Sequence, residues 1–234
     1  MAGIIGLVGG EEFRSGCEDM DREIMKASGQ DPARVLIIPT AAVTGPAKAA
    51  NDGVTHFGNL GADASQLMVL DKSQANDAAL ADRCRGTGVV YFTGGNPDHL
   101  LQSLKGSSLL KAIMEAVDEG AVLAGSSAGA MVLGSLMRRP HGGGGPRSSD
   151  WVEALGIVPG VAVLPHHERS DPAETSRQLQ SQVPGDLTVL GIDARSGCIG
   201  RPGSWRAVGS GKVTVYRGTE WQVFASGESL PQDI

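Results

Sequence analysis

The chain has 234 residues, 41% of them hydrophobic and 20% charged, with a formal net charge of −6 at pH 7. That length suits a single α/β domain over residues 1–234, burying roughly 70–75% of its unfolded surface, so no disulfide or metal is needed to hold it together. Both signs of charge are mixed along the chain without a Lys/Arg cluster interleaved with aromatics, which excludes a nucleic-acid footprint, and no run reaches the roughly 18 apolar residues of a membrane span.

The first apolar run, Ile4 to Val8, ends at Gly9-Gly10, and Glu18 to Lys26 then carries apolar residues at helical spacing. Val35 to Ile38 ends at Pro39-Thr40 and is followed by the helical pattern Ala47 to Phe57. Leu67 to Leu70 reads as a strand ending at Asp71, with a helix expected over Gln74 to Arg83. Val89 to Phe92 ends at Thr93-Gly94-Gly95 before the helical His99 to Leu104, and Leu109 to Val117 is a further helix. Ala121 to Ala124 ends at Gly125 and leads into the helical Ala130 to Leu136. Val161 to Leu164 ends at Pro165, Ala173 to Gln182 is helical, and Val189 to Ile192 ends at Asp193. Short Val/Ile-rich runs without alternation are strands buried on both faces. Alternating with helices, they predict a doubly wound, mostly parallel sheet flanked by helices. Trp205 to Val208 and Lys212 to Tyr216, joined by Gly209-Ser210-Gly211, predict a C-terminal antiparallel hairpin.

Cys17, Cys84 and Cys198 show no paired spacing, which argues against a disulfide framework or zinc site and suits a reducing compartment. Met1 to Val8 has no basic n-region and no long apolar run, so no signal peptide is read and a cytoplasmic location is expected. No metal or cofactor is expected. The segment Arg138 to Ser149 holds four consecutive glycines, Gly142 to Gly145, and reads either as a surface loop or as a flap over a site.

In a doubly wound sheet, ligands bind beyond the carboxyl ends of the strands. Three motifs fall there. Gly125-x-Ser127-x-Gly129 has the pattern of a nucleophile elbow, in which a strained serine is tolerated because its second neighbours are small. The N–H of Ala128 would then face a developing oxyanion. Ser126 is the rival nucleophile, and an N-cap serine is the plain alternative. Gly94-Gly95 at another strand end would let a backbone N–H approach the same ligand, with a simple turn as the alternative. Pro165-His166-His167-Glu168-Arg169 places histidines at a third strand end, where a serine's general base is needed.

Together, Phe92-Thr93-Gly94-Gly95-Asn96, Gly125 to Ala130, Pro165-His166 and Gly191-Ile192-Asp193 resemble the serine peptidase family of cyanophycinase and dipeptidase E, on a sheet related to class I glutamine amidotransferases. The resemblance spans nearly the whole chain. It implies Ser127 as nucleophile, His166 as general base, His167 at the family's aromatic position, and the N–H groups of Gly95 and Ala128 as oxyanion donors. The implied reaction is hydrolysis of an amide or isopeptide bond next to an aspartyl residue through an acyl-enzyme. The resemblance also implies a homodimer. Asp193 is the expected third triad member, because the family's Gly-Ile-Asp-Glu is here followed by Ala194. Glu168, Asp150 and Glu153 are the alternatives, and a turn cap is the plain reading of Asp193.

For substrate contact, Asn96, Arg169 and Arg177 are the candidates. Arg169 stands alone where cyanophycinase-like chains carry a set of arginines, and Arg177 is displaced by one residue from the arginine of dipeptidase E, about 100° of rotation on a helix. A small peptide is the expected partner. Two other function classes stay open: a ligand-binding or regulatory member that has lost activity, and a nucleotide-binding domain suggested by Gly6-x-x-Gly9-Gly10, which lacks the full glycine spacing and an acidic ribose partner.

Overall fold

The computed structural model describes residues 3–139, 151–183 and 185–234. The glycine-rich run Gly142 to Gly145, read from sequence as a surface loop or flap, lies outside them, as does Asp150.

In chain order, β1 (Ile5–Val8) leads to α1 (Glu18–Ala27), β2 (Arg34–Ile38), α2 (Pro46–Asn59) and β3 (Asp63–Gln66). Two short helices, α3 (Lys72–Ala75) and α4 (Ala78–Asp82), precede β4 (Val89–Phe92), α5 (Pro97–Leu104), α6 (Ser108–Asp118) and β5 (Val122–Ser126). After α7 (Ala128–Leu133) come β6 (Leu136–Arg138), β7 (Trp151–Glu153), β8 (Val161–Leu164), a 3₁₀ turn at His167–Arg169, and α8 (Pro172–Leu179). The chain ends in β9 (Thr188–Ile192), β10 (Ser196–Arg201), β11 (Ser204–Gly209), β12 (Lys212–Arg217) and β13 (Glu220–Ala225).

The central sheet has seven strands in the order β11-β10-β1-β5-β4-β2-β3. Its β1, β5, β4, β2 and β3 are mutually parallel, while β10 and β11 are antiparallel additions at one edge. Side chains alternate across it, as the pleat requires. Val35, Ile37, Val89, Tyr91, Val122 and Ala124 pack on one side with Met20 and Ile24 of α1 and Phe57 of α2. Leu36, Ile38, Val90, Phe92 and Leu123 pack on the other against Leu100 and Leu104 of α5 and Leu109, Ile113 and Val117 of α6. Both faces are therefore covered, which is why these strands read as unbroken apolar runs. Each large side chain so buried stabilises the fold by roughly 1.5–3 kcal/mol.

The strands near His166 belong to a second sheet. Its order is β13-β12-β9-β8, with β8 parallel to β9 and the rest antiparallel. Antiparallel hairpins do lie at the C-terminal end, but with other partners than the spacing suggested. Residues 205–208 pair within β10–β11 and residues 212–216 pair with β9 and β13, so the chain changes sheets at Gly209, whose φ is +97°. Among the described residues, no helix is long and apolar enough to cross a membrane.

Candidate active site

β5 ends at Ser126, and the chain turns at Ser127 into α7. Ser127 has φ 49° and ψ −109°, a left-handed φ in a residue with a side chain. Such a conformation costs on the order of 1–3 kcal/mol and persists only where neighbours enforce it. Here the Ser127 N–H donates to the Val8 carbonyl at 2.9 Å, and its carbonyl accepts the Met131 N–H at 2.9 Å. The flanking glycines are required by space. A Cβ on Gly125 would lie 2.5 Å from the Gly129 carbonyl carbon, and one on Gly129 would lie 2.6 Å from the Phe92 carbonyl oxygen.

His166 follows β8 in the left-handed region, φ 53° and ψ 43°. Its N–H donates to the Gly9 carbonyl at 2.8 Å, and its ring lies so close over Gly10 that any side chain there would overlap it. Gly10 itself has φ +122°. The result is a bond between the two sheets: His166 Nε2 stands 3.2 Å from Ser127 Oγ, within reach for proton transfer.

Gly94-Gly95 closes the third side. Gly95 has φ +138° and packs directly on the Ala41 carbonyl, while the following Asn96 N–H donates to that same carbonyl at 2.7 Å. Neither the Gly95 N–H nor the Ala128 N–H, at the first turn of α7, meets an acceptor among the described residues. Gly95 and Ser127 together line two adjoining hollows. One, about 260 Å³, is bounded by Glu11, Glu12, Arg14, Asp52 and His166; the other, about 350 Å³, by Ala128, Met131, Arg138, Arg139 and Pro165. A groove of about 380 Å³ beside α4 and α6 is larger but is lined by Asp82, Arg85, Glu115 and Glu119, without a histidine or cysteine.

The remaining predicted residues divide. Asp193 is turned to β12: its N–H donates to the Lys212 carbonyl at 3.1 Å and its carboxylate accepts the Lys212 N–H at 3.0 Å. Glu168 accepts the Ala194 N–H at 2.9 Å. Partial desolvation pushes the Glu168 carboxyl up, but the N–H groups of Ala194 and Glu168 and the charge of His166 and Arg169 outweigh it and hold the group below the usual carboxylate value. No carboxylate hydrogen-bonds the His166 ring among the described residues. Glu153 lies apart, 3.5 Å from Lys105 Nζ. Asn96 uses its side-chain oxygen to cap α5 at the His99 N–H, 3.0 Å. Arg177 Nε donates back to the Ala173 carbonyl of its own helix at 3.3 Å, and Arg169 is exposed in the 3₁₀ turn. His167 is buried, with its ring edge-on to Tyr216 and Nε2 2.6 Å from the Tyr216 hydroxyl. Burial pushes its imidazole below the ordinary value, against the opposing charges of Asp193 and Glu168. Among the described residues, no three His, Cys, Asp or Glu side chains come together as metal ligands.

Sequence reading missed Glu12, whose carboxylate accepts the Gly94 N–H at 2.7 Å and the Ser126 hydroxyl at 2.7 Å. Its signal was present: Gly9-Gly10 followed by Glu11-Glu12 is another glycine pair at a strand end. Arg14, Arg138 and Arg139 were also missed as cleft residues. Arg14 stands apart from the motifs considered, whereas Arg138 and Arg139 open the glycine-rich segment read as a surface loop or a flap over a site.

A strained serine between β5 and α7, with a histidine on its hydroxyl and two glycine turns beside it, defines a hydrolase of α/β fold. The profile of peptidase family S51 matches residues 6–198. The chain belongs to that family and is a serine peptidase in general class. It is similar in structure to a peptidase from an acI-B1 actinobacterium, with TM-score 0.84 and 27% identity, over 99% of this chain and 97% of that one. A second similar structure is a protein from Listeria monocytogenes EGD-e to which peptidase E identity has been ascribed. There the TM-score is 0.59 at 18% identity, over 92% of this chain and 98% of that one, a likeness of fold. No curated protein matches the chain.

Proposed function

We propose that the chain hydrolyses short peptides with an acidic, aspartyl-like residue at the cleaved bond, through an acyl-enzyme on Ser127. The observation that carries this reading is the 3.2 Å approach of His166 Nε2 to the hydroxyl of a strained elbow serine. His166 takes the Ser127 proton as Oγ attacks the carbonyl carbon, and the N–H groups of Gly95 and Ala128 receive the oxyanion. Collapse of the tetrahedral adduct breaks the C–N bond, and His166 returns the proton to the leaving amine. Water, deprotonated by His166, then releases the acid and restores the Ser127 hydroxyl.

Preference for an acidic substrate rests on Arg138 and Arg139, which line the hollow on the Ala128 side. Arg139 is already held by Asp98, with Nε 3.0 Å from its carboxylate, so Arg138 is the cation offered to a substrate carboxylate. A short peptide is favoured over a polymer of aspartate and arginine, because only Arg169 follows the catalytic histidine.

The test is covalent labelling with a fluorophosphonate. A single adduct on Ser127 is expected, absent in Ser127→Ala and strongly reduced in His166→Ala. Folded protein that takes up no label would transfer the fold to a binding role. Asp-X dipeptides, compared with Ala-X and β-aspartyl peptides, then read the specificity; equal rates throughout would sink the acidic preference.

A further inference from the structure

We infer that Glu12 is a positioning residue that locks the Gly94-Gly95 turn to the nucleophile elbow, so that Gly95 presents its N–H to the oxyanion. The inference rests on Ser127 being the nucleophile. The last ladder pair between β4 and β5 is Phe92 with Gly125, and beyond it the two strands part. The Glu12 carboxylate bridges the gap, one oxygen on the Gly94 N–H and the other on the Ser126 hydroxyl, each at 2.7 Å. Both bonds are short and charge-assisted, the kind that fix geometry. Ser126 is fully buried, and a side chain on Gly94 would meet Glu12 Oε1 at 2.9 Å. The contact is therefore close on the Gly94 and Ser126 sides.

Two consequences follow for the chemistry. Adjacent N–H groups at a strand end compete for one anion, and Glu12 removes Gly94 from that competition. An oxyanion donor is effective because it needs no reorganisation when charge develops. Likewise, Ser126, the rival nucleophile by sequence, has its hydroxyl proton directed to Glu12 and away from His166. Glu12 sits on the same short loop whose Gly9 carbonyl holds the His166 N–H and whose Gly10 lies under the His166 ring. One loop thus sets the base at one end and the oxyanion turn at the other.

The experiment measures fluorophosphonate inactivation, separating kinact from KI, with melting temperature alongside. Glu12→Ala is expected to lower kinact on the order of 10²-fold, the scale of a roughly 1 Å misplacement, with KI unchanged. Glu12→Gln keeps an acceptor for Gly94 and is expected to restore kinact to within about three-fold of wild type by the same geometric argument. A purely structural role would lower the melting temperature in both without that kinact rescue. Wild-type kinact in Glu12→Ala, or equal loss in Ala and Gln variants, overturns the inference. Should Glu12→Ala not fold, Ser126→Ala decides beside Glu12→Gln: it removes one of the two bonds, and unchanged kinact there overturns the clamp. A wild-type protein that takes no label refutes Ser127 as nucleophile, and this inference falls with it.

Discussion

At the scale of single residues, the strained serine and the histidine beside it could be read from sequence because their constraints are local. Gly125 and Gly129 are glycine since nothing larger fits against the neighbouring backbone, and that requirement is visible as spacing. The orienting carboxylate was not legible in the same way, since it depends on which side chain survives the competition from nearby backbone N–H groups. Asp193 accepts the Lys212 N–H, and Glu168 accepts the Ala194 N–H. Neither accepts a hydrogen bond from the His166 ring, but charge couples Glu168 to His166, and we propose Glu168 as the carboxylate that favours protonation of that ring. Glu168→Gln is expected to lower the Ser127 labelling rate on the order of tenfold, less than loss of a buried triad aspartate because Glu168 is exposed and screened. Asp193→Asn retains an acceptor for Lys212 and is expected to label at the wild-type rate. The reverse order in a labelling assay would return the role to Asp193.

At the scale of elements, strands buried on both faces were legible and boundaries set by capping were not. The helix expected over Gln74 to Arg83 is two helices, because Asp77 turns its carboxylate to the N–H groups of Ala79 and Leu80 and starts a new one. The apolar run Leu67 to Leu70 is no strand. Leu67 and Val69 are buried in the core, but β3 pairs with β2 one step earlier, over the more polar Asp63–Gln66 at the sheet edge. Apolarity reported burial there, while pairing followed the reach of the neighbouring strand. The elbow gives the sharpest prediction at this scale. Gly129→Ala presses α7 against the Phe92 carbonyl, so it is expected to cost about 1–3 kcal/mol in urea denaturation and to remove Ser127 labelling in the protein that remains folded. Full labelling in that variant would show that the helix can shift without disturbing the serine.

For the whole molecule, the unexpected feature is that nucleophile and base stand on different sheets. Sequence periodicity reports that a strand is buried, not which sheet it joins, so β8 and β9 were expected beside the others. Their sheet is steadied by His167 against Tyr216, and its stability carries a pH signature. Burial lowers the His167 pKa in the folded state, so below the unfolded value of about 6.5 the unfolded chain binds the extra proton first. The contribution is therefore fully present above that value and is lost as pH falls through the lowered folded value. Urea midpoints at pH 7.5 and 5.5 are expected to fall further apart in wild type than in His167→Phe. An identical spread in both proteins would remove His167 as the source.

The division between sheets also sets an order in time. A ribosome delivers β1 to β5, and with them Ser127 and the Gly94-Gly95 turn, well before Tyr216, which meets His167. The Ser127–His166 contact thus joins a part of the chain made early to a sheet completed only with β12 and β13.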